Sequence, residues 1–364
     1  MEKIVNIGYR QSLYWGDETG YGSAAAINEP VGLVQSVNPT ETNSLMKIRT
    51  LGGSRDYSNI VPGKFEVTGS FEYYLQGGAF LRQCMGEDTS STATTDSGPS
   101  VHTGASYVHV MGSAASPESD NFPSFTLEFT DEEDTEANSM KRLYDGCRVN
   151  SATISASVDE AVKVAVDFQA QGVHVSTADA SSVSESTDDP YVFYQGAVYS
   201  TSGAISYQTV VESDSQLAEV NSLDFSVNNN LEAIWYISGT TAATQTIRGL
   251  KQLIAKGRDY EASLGLHFAN KTMYQKFLGS GTATEDQATL ADYTIVVDFV
   301  RSGVIGSAKK LATDDYIRIV MDDCKFNDIN IAGAPEDVIA QNISVFVESA
   351  KVYVVDADAT YKHA

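Results

Sequence analysis

Asp145-Gly146-Cys147-Arg148-Val149-Asn150, followed by an alternating run that opens at Ile154, has a counterpart in Asp322-Asp323-Cys324-Lys325-Phe326-Asn327, followed by Ile331. The interval from cysteine to isoleucine is the same in both. Further blocks recur in the same order. Phe65-Glu66-Val67-Thr68-Gly69 parallels Tyr260-Glu261-Ala262-Ser263-Leu264, and each run leads into a short amphipathic piece ending at Gly86 or Gly279. Phe125 to Phe129 parallels Ile295 to Phe299, with Glu128 and Asp298 each just before the phenylalanine. Val164, Val166 and Phe168 align with Ile343, Val345 and Val347, and Val173 and Val175 with Val352 and Val354. That alignment places two extra residues in the turn near Pro335, an even insertion that keeps the inward face inward. Two copies are too few for a solenoid, so the repeat predicts two tandem domains.

Period-2 alternation dominates both copies. Phe65, Val67, Gly69, Phe71 and Tyr73 alternate with Glu66, Thr68, Ser70 and Glu72, the signature of a half-buried antiparallel strand. Similar strands are expected around Ile154, Val164, Phe225 and Val345, with short helices at 78–85, 138–144, 271–278 and 308–311. The fold class is therefore mostly β: two tandem β-sandwich or barrel domains, each with one or two short helices. Residues 1–30 read as an N-terminal arm, 31–185 as the first domain and 186–364 as the second. The boundary falls in the polar stretch 176–190, and a long Ser/Thr/Gly-rich loop spans 87–121.

The 364 residues are 42% hydrophobic and carry a formal net charge of -24. Length and hydrophobic content suffice for two cores. The acidic excess is spread over both halves, which excludes the clustered Lys and Arg of a nucleic-acid-binding domain. Cys147 and Cys324 stand at equivalent places and Cys84 stands alone, so no disulfide framework is expected and a reducing compartment is. Met1-Glu2-Lys3-Ile4-Val5-Asn6 lacks a signal peptide's apolar core, and no apolar run approaches membrane-spanning length, so membrane insertion is not expected.

Catalytic patterns are missing. The five histidines are scattered, with no zinc-ligand spacing, phosphate-binding Gly-rich loop or Gly-x-Ser-x-Gly elbow, so neither an enzyme nor a metal or cofactor is predicted. Asp131-Glu132-Glu133-Asp134 with Glu136 lacks the ligand spacing of a calcium loop and reads as a solvated acidic turn.

Trp15-Gly16-Asp17-Glu18-Thr19-Gly20-Tyr21-Gly22-Ser23, Val31-Gly32-Leu33-Val34-Gln35-Ser36 and Pro62-Gly63-Lys64-Phe65-Glu66-Val67-Thr68-Gly69-Ser70 resemble the amino-terminal pattern of tail tube proteins of tailed phages and archaeal viruses. Tyr191 to Val198 and Val220 to Leu231, with its Asn228-Asn229-Asn230-Leu231, resemble that family's strand, turn and Asn-Asn-Leu segment. The resemblance implies tube domains whose sheets join edge to edge into rings, stacked as a hollow conduit for viral DNA. Lateral pairing would also use up otherwise open strand edges. With two domains per chain, three chains make a pseudo-sixfold ring, preferred over six chains.

Partners implied by the resemblance are the chain itself, tail terminator and baseplate proteins, and a tape measure protein and DNA that pass through without specific binding. The place implied is the virion tail, assembled in host cytoplasm. The alternative is a baseplate hub or distal tail protein built on the same duplicated domain. An adhesin reading, with the loop 87–121 as the binding surface, is opposed by the lack of an aromatic cluster there.

An acidic lumen would let DNA slide, whereas a basic one would hold it by counterion release. The lumen candidates are Glu66, Thr68, Ser70, Glu72, Glu128, Asp167, Glu261, Ser263 and Asp298, with Lys163 as a counterexample. The same acidity serves equally as plain solubility. Ring-stacking candidates, following the family, are Gly52, Gly53, Arg55, Asp56 and Tyr57 in one hairpin, with a counterpart near 239–257.

Overall fold

The structure, a computed structural model, describes residues 10–51, 55–86, 88–92, 107–112, 122–132, 139–178, 180–184, 188–207, 209, 211, 215–217, 219–236, 248–301, 315–333 and 338–356. The chain runs through β1 (Gln11–Asp17), β2 (Glu29–Pro30), β3 (Leu33–Ile48), β4 (Asn59–Tyr74), α1 (Leu81–Met85), β5 (Asp88–Thr92), β6 (Tyr107–Gly112), β7 (Phe125–Asp131), β8 (Met140–Ser157), β9 (Lys163–Ala170) and β10 (Gly172–Ser176). It continues through β11 (Gly196–Thr201), β12 (Val220–Asn228), β13 (Glu232–Ile234), β14 (Gln252–Ile254), β15 (Asp259–His267), α2 (Thr272–Leu278), β16 (Tyr293–Val300), β17 (Tyr316–Ala332), β18 (Ala340–Val347) and β19 (Ser349–Asp356).

Among the described residues every strand pair is antiparallel, and the two halves share six ladders. In the first half β1 pairs β7, β7 pairs β8, and β8 pairs β10, while β3 pairs β4, β4 pairs β9 and β9 pairs β8. In the second half β11 pairs β16, β16 pairs β17, and β17 pairs β19, while β12 pairs β15, β15 pairs β18 and β18 pairs β17. The irregularities coincide too. Bulges at Val149/Ser151 and Phe326/Asp328 let β8 and β17 each pass from one sheet to the other. Just before each conserved-spacing cysteine the backbone turns left-handed, at Gly146 (φ 61) and at Asp323 (φ 52). Glycine takes that conformation without strain and aspartate is among the few residues that tolerate it.

Ladder registers correct the sequence alignment by two residues. Val164, Val166 and Phe168 occupy the places of Gln341, Ile343 and Val345, because Ile154 stands opposite Val164 and Ile331 opposite Gln341. Val67, not Phe65, matches Tyr260. Thr130, not Glu128, matches Asp298. A slide by two keeps every side chain on its own face, so alternation alone cannot detect it.

Three local expectations also change. Met140 to Tyr144, expected to be helical, is the start of β8, held between β7 and β10. Residues 11–17 of the expected arm are β1, which buries Leu13 and Trp15 in the core. The expected loop 87–121 contains β5 and β6, and β6 pairs with β19 of the other half, burying Val108, His109 and Met111. The expected helices at 78–85 and 271–278 are present as α1 and α2, and 308–311 lies outside the described residues.

One apolar cluster runs through both halves, from Trp15, Phe71, Phe80, Phe125 and Phe168 to Leu264, Ile295, Ile319 and Val345. Cys84, Cys147 and Cys324 are free and buried within it, and burial pushes each thiol pKa up, which keeps it protonated.

Candidate functional site

The halves meet through a β-ladder. Strand β12 adds to the outer edge of β8, from Ser222 opposite Ser157 to Asn228 opposite Ser151. The result is one sheet in the order β3, β4, β9, β8, β12, β15, β18, β17. Residues opposite one another in an antiparallel ladder share a face, so the registers define the two faces of this sheet. One covers the core.

The other face is polar across all eight strands. On it stand Thr40 and Thr42 on β3, Glu66 and Thr68 on β4, Gln169 and Asp167 on β9, Ser151 and Thr153 on β8, Asn228 and Ser226 on β12, Asp259 and Glu261 on β15, Ser344 on β18 and Asp328 on β17. Ser70 (opposite Asp167), Glu72 and Ser263 (opposite Ser344) share the face. Hydroxyls and carboxylates bridge adjacent strands, as in Ser151 Oγ donating to Asp167 (2.8 Å) and the Thr153–Ser226 hydroxyl pair (3.0 Å). Glu66, Glu72, Asp167, Asp224, Asp259, Glu261 and Asp328 make the face acidic. Its lysines are matched by acids: Lys64 by Glu66 at 2.6 Å, Lys163 by Glu160 at 3.5 Å and Glu72 at 3.9 Å, and Lys325 by Asp292. Phe346 is an exposed apolar exception.

Seven of the nine sequence-derived lumen candidates thus share this face: Glu66, Thr68, Ser70, Glu72, Asp167, Glu261 and Ser263. Glu128 and Asp298 do not. Both are fully buried in the second sheet of their halves. Glu128 binds Lys141 at 2.7 Å and accepts from Ser181 N at 2.6 Å and Ser181 Oγ at 2.7 Å. Asp298 holds Arg318 through both oxygens at 2.6 and 3.0 Å, and Arg318 also donates to the carbonyls of Ser206 (2.7 Å) and Thr209 (2.8 Å). Burial alone would lower the Arg318 pKa, but the Asp298 charge and hydrogen bonds outweigh it and raise the value. The sequence misplaces these two acids because β7 and β16 are buried on both faces, so alternation there does not separate inside from outside.

Of the stacking candidates, Arg55, Asp56 and Tyr57 lie exposed beyond the paired part of the β3–β4 hairpin, and Gly52 and Gly53 lie outside the described residues. Arg49 stacks on the Tyr57 ring at 4.4 Å and Lys47 approaches it at 5.3 Å. Leu45, Met46, Ile48, Leu51 and Ile60 are exposed along this hairpin. The counterpart hairpin is β13–β14, and 239–247 lies outside the described residues.

The Asn-Asn-Leu segment holds a residue whose bridging place the sequence does not show. Asn229 is 1% exposed and joins the halves: its Nδ2 donates to the carbonyls of Cys84 and Val149 (3.1 Å each), its N–H to Asn150 O (2.7 Å), and its Oδ1 accepts from Arg258 (2.9 Å). Asn230 follows at φ 47, a left-handed residue that separates β12 from β13.

Residues 8–344 match the profile of the family described as phage tail tube protein. The chain belongs to that family. No curated protein matches it in sequence. Membership in the phage tail tube family makes the chain a structural component of a virion tail that self-assembles into a tube, and the mostly β architecture agrees with it. Among the described residues no helix is long and apolar enough to cross a membrane.

Proposed function

We propose that each half of the chain is one tube domain, 31–185 and 186–364, and that three chains close a pseudo-sixfold ring whose polar sheet face lines a DNA-conducting lumen. The observation that carries this reading is the β8–β12 joint. Each end of the eight-stranded sheet offers the matching half of the same joint: β3 is the counterpart of β12, and the outer part of β17 the counterpart of β8. Among the described residues β3 pairs only with β4, and this part of β17 only with β18.

Burial differs as an unfilled joint requires. Leu223, Phe225 and Val227 on β12 are buried, whereas their counterparts Val37, Pro39 and Glu41 on the open edge are half-buried or exposed. Ile154 on β8 is 3% exposed and its counterpart Ile331 is 42% exposed. Transferring the internal register sets Thr42 against Asp328, Thr40 against Asn330 and Asn38 against Ala332 of the next chain.

Strands β4 and β15 run in the same direction, since an even number of antiparallel steps separates them. Both hairpins therefore project from one edge of the sheet, and α1 and α2 follow at the other. That polarity suits head-to-tail stacking, an open assembly whose length needs another component to set it, in keeping with terminator, baseplate and tape measure partners. DNA carries about one charge per 1.7 Å of axis, and an acidic wall gives it nothing to release counterions against.

The test is a Thr40→Cys/Asn330→Cys variant. These positions correspond to Ser226 and Thr153, whose oxygens are 3.0 Å apart across the internal joint. Oxidised assemblies should run as a covalent ladder that ends at a closed three-chain species. A ladder continuing to six chains would refute the three-chain ring, and no crosslink in assembled tubes would refute the joint.

A further inference from the structure

The two halves differ at one seat. Trp15 stands opposite Leu127 and Ser200 opposite Ile295, and Leu127 and Ile295 occupy the same step after the bulge in their ladders with β8 and β17. In the first half the indole fills the seat completely, meeting Phe80 and Phe125 edge to face at 5.4 and 6.4 Å. In the second half the serine leaves a cavity of about 230 Å3 beside α2.

Charge differs in the same place. On α1, Arg82 is neutralised by Asp17 at the end of β1, at 2.6 Å, and Gln83 donates to the same carboxylate at 2.9 Å. On α2, Lys276 reaches β11 only through the Ser200 hydroxyl, at 2.7 Å, with the Tyr293 ring 4.9 Å away. Among the described residues it has no carboxylate partner, in a chain of net charge -24. Burial lowers its pKa, with no neighbouring charge to oppose the shift. Gln341, 2% exposed and lining the same cavity, has its Nε2 unpartnered. Leu217, Leu266 and Met273 supply an apolar wall, and Glu219 and His267 also line the cavity.

We propose that this cavity is a carboxylate seat, in which the Lys276 ammonium and the Gln341 carboxamide N–H bind a carboxylate whose short apolar stem lies against Leu217, Leu266 and Met273. The ammonium has two donors left after Ser200, and an orphaned buried N–H gains most from a charged acceptor. The carboxylate supplies what Asp17 supplies in the first half. It comes either from a free small carboxylic acid or from an acidic side chain of a second copy of this chain. The seat itself is independent of the ring proposal, and only the second source rests on it.

The test reads the reactivity of Lys276 toward an amine-acylating reagent by peptide mass spectrometry on the full chain. One arm uses unassembled protein with propionate, against chloride at matched ionic strength; the other uses assembled protein without propionate. Protection of roughly tenfold, the scale of one charge-assisted hydrogen bond, is expected in at least one arm. Propionate protection identifies a free acid as able to fill the seat, and protection on assembly alone identifies a neighbouring chain.

Gln341→Leu, or the nearly isosteric Gln341→Glu if the first fails to fold, should abolish the protection. Protection that survives these substitutions would be simple steric cover and would overturn the proposal, as would its absence from both arms. If no rings form, the propionate arm alone decides the seat, while the ring proposal fails separately.

Discussion

Ile331→Asp isolates the ring joint from the fold of the chain. In the single chain Ile331 is 42% exposed on an open edge, while its counterpart in the internal joint, Ile154, is 3% exposed. Complete burial of an isoleucine side chain is worth about 1.5–3 kcal/mol, so closing the joint over Ile331 contributes roughly 1 kcal/mol in the wild type. An aspartate there loses that term and adds a carboxylate buried opposite Pro39, where the transferred register offers no cation. An uncompensated buried charge costs about 3–5 kcal/mol, so the joint constant should fall by roughly a thousandfold or more, and three joints would act in the proposed three-chain ring. The unassembled chain should lose only about 1–2 kcal/mol, the worth of the part of the side chain already buried there. Sedimentation velocity over a concentration series, with thermal melts of the dilute chain, separates the two effects. Rings forming at the wild-type concentration would refute the transferred joint, whatever the melt of the dilute chain. Ile331→Ala should shift the ring threshold only by about fivefold, the factor for about 1 kcal/mol.

Asn229→Leu leaves the carbonyls of Cys84 and Val149 without their side-chain donor and Arg258 without an acceptor. It should destabilise the chain by about 2–5 kcal/mol in chemical denaturation, and a loss under about 1 kcal/mol would mean that the joint does not depend on it. Asp298→Asn should cost about 3–5 kcal/mol by stranding Arg318, and Asp298→Leu with Arg318→Met should recover most of that; a double variant as unstable as the single one would count against the ion pair as the cause. Burial raises the Glu18 pKa above 4.5 despite hydrogen bonds from Gly22, Gly146 and Thr126. Its contribution is therefore full below the unfolded value and is lost as pH rises through the folded value. Stability of Glu18→Gln relative to wild type should rise as pH increases above 4.5, and parallel pH profiles would refute the assignment.

The sequence by itself determined the alternating strands, the duplication and the chemistry of the exposed sheet face, but not β1, β5, β6 or the start of β8. Alternation of apolar and polar side chains is written locally, at period two, and the run Phe65 to Tyr73 carries it whatever its partners. For that reason seven polar candidates could be placed on one face before any ladder was known. Tertiary structure decided which strands meet and in what register. A slide by two residues leaves alternation intact, so the sequence could not distinguish Val67 from Phe65 as the match of Tyr260. Burial on both faces erased the alternation of β7 and β16 and hid the ion pairs of Glu128 and Asp298. The β6–β19 and β8–β12 pairings join residues far apart in the chain through backbone groups that every residue type shares, so no side-chain pattern announces them.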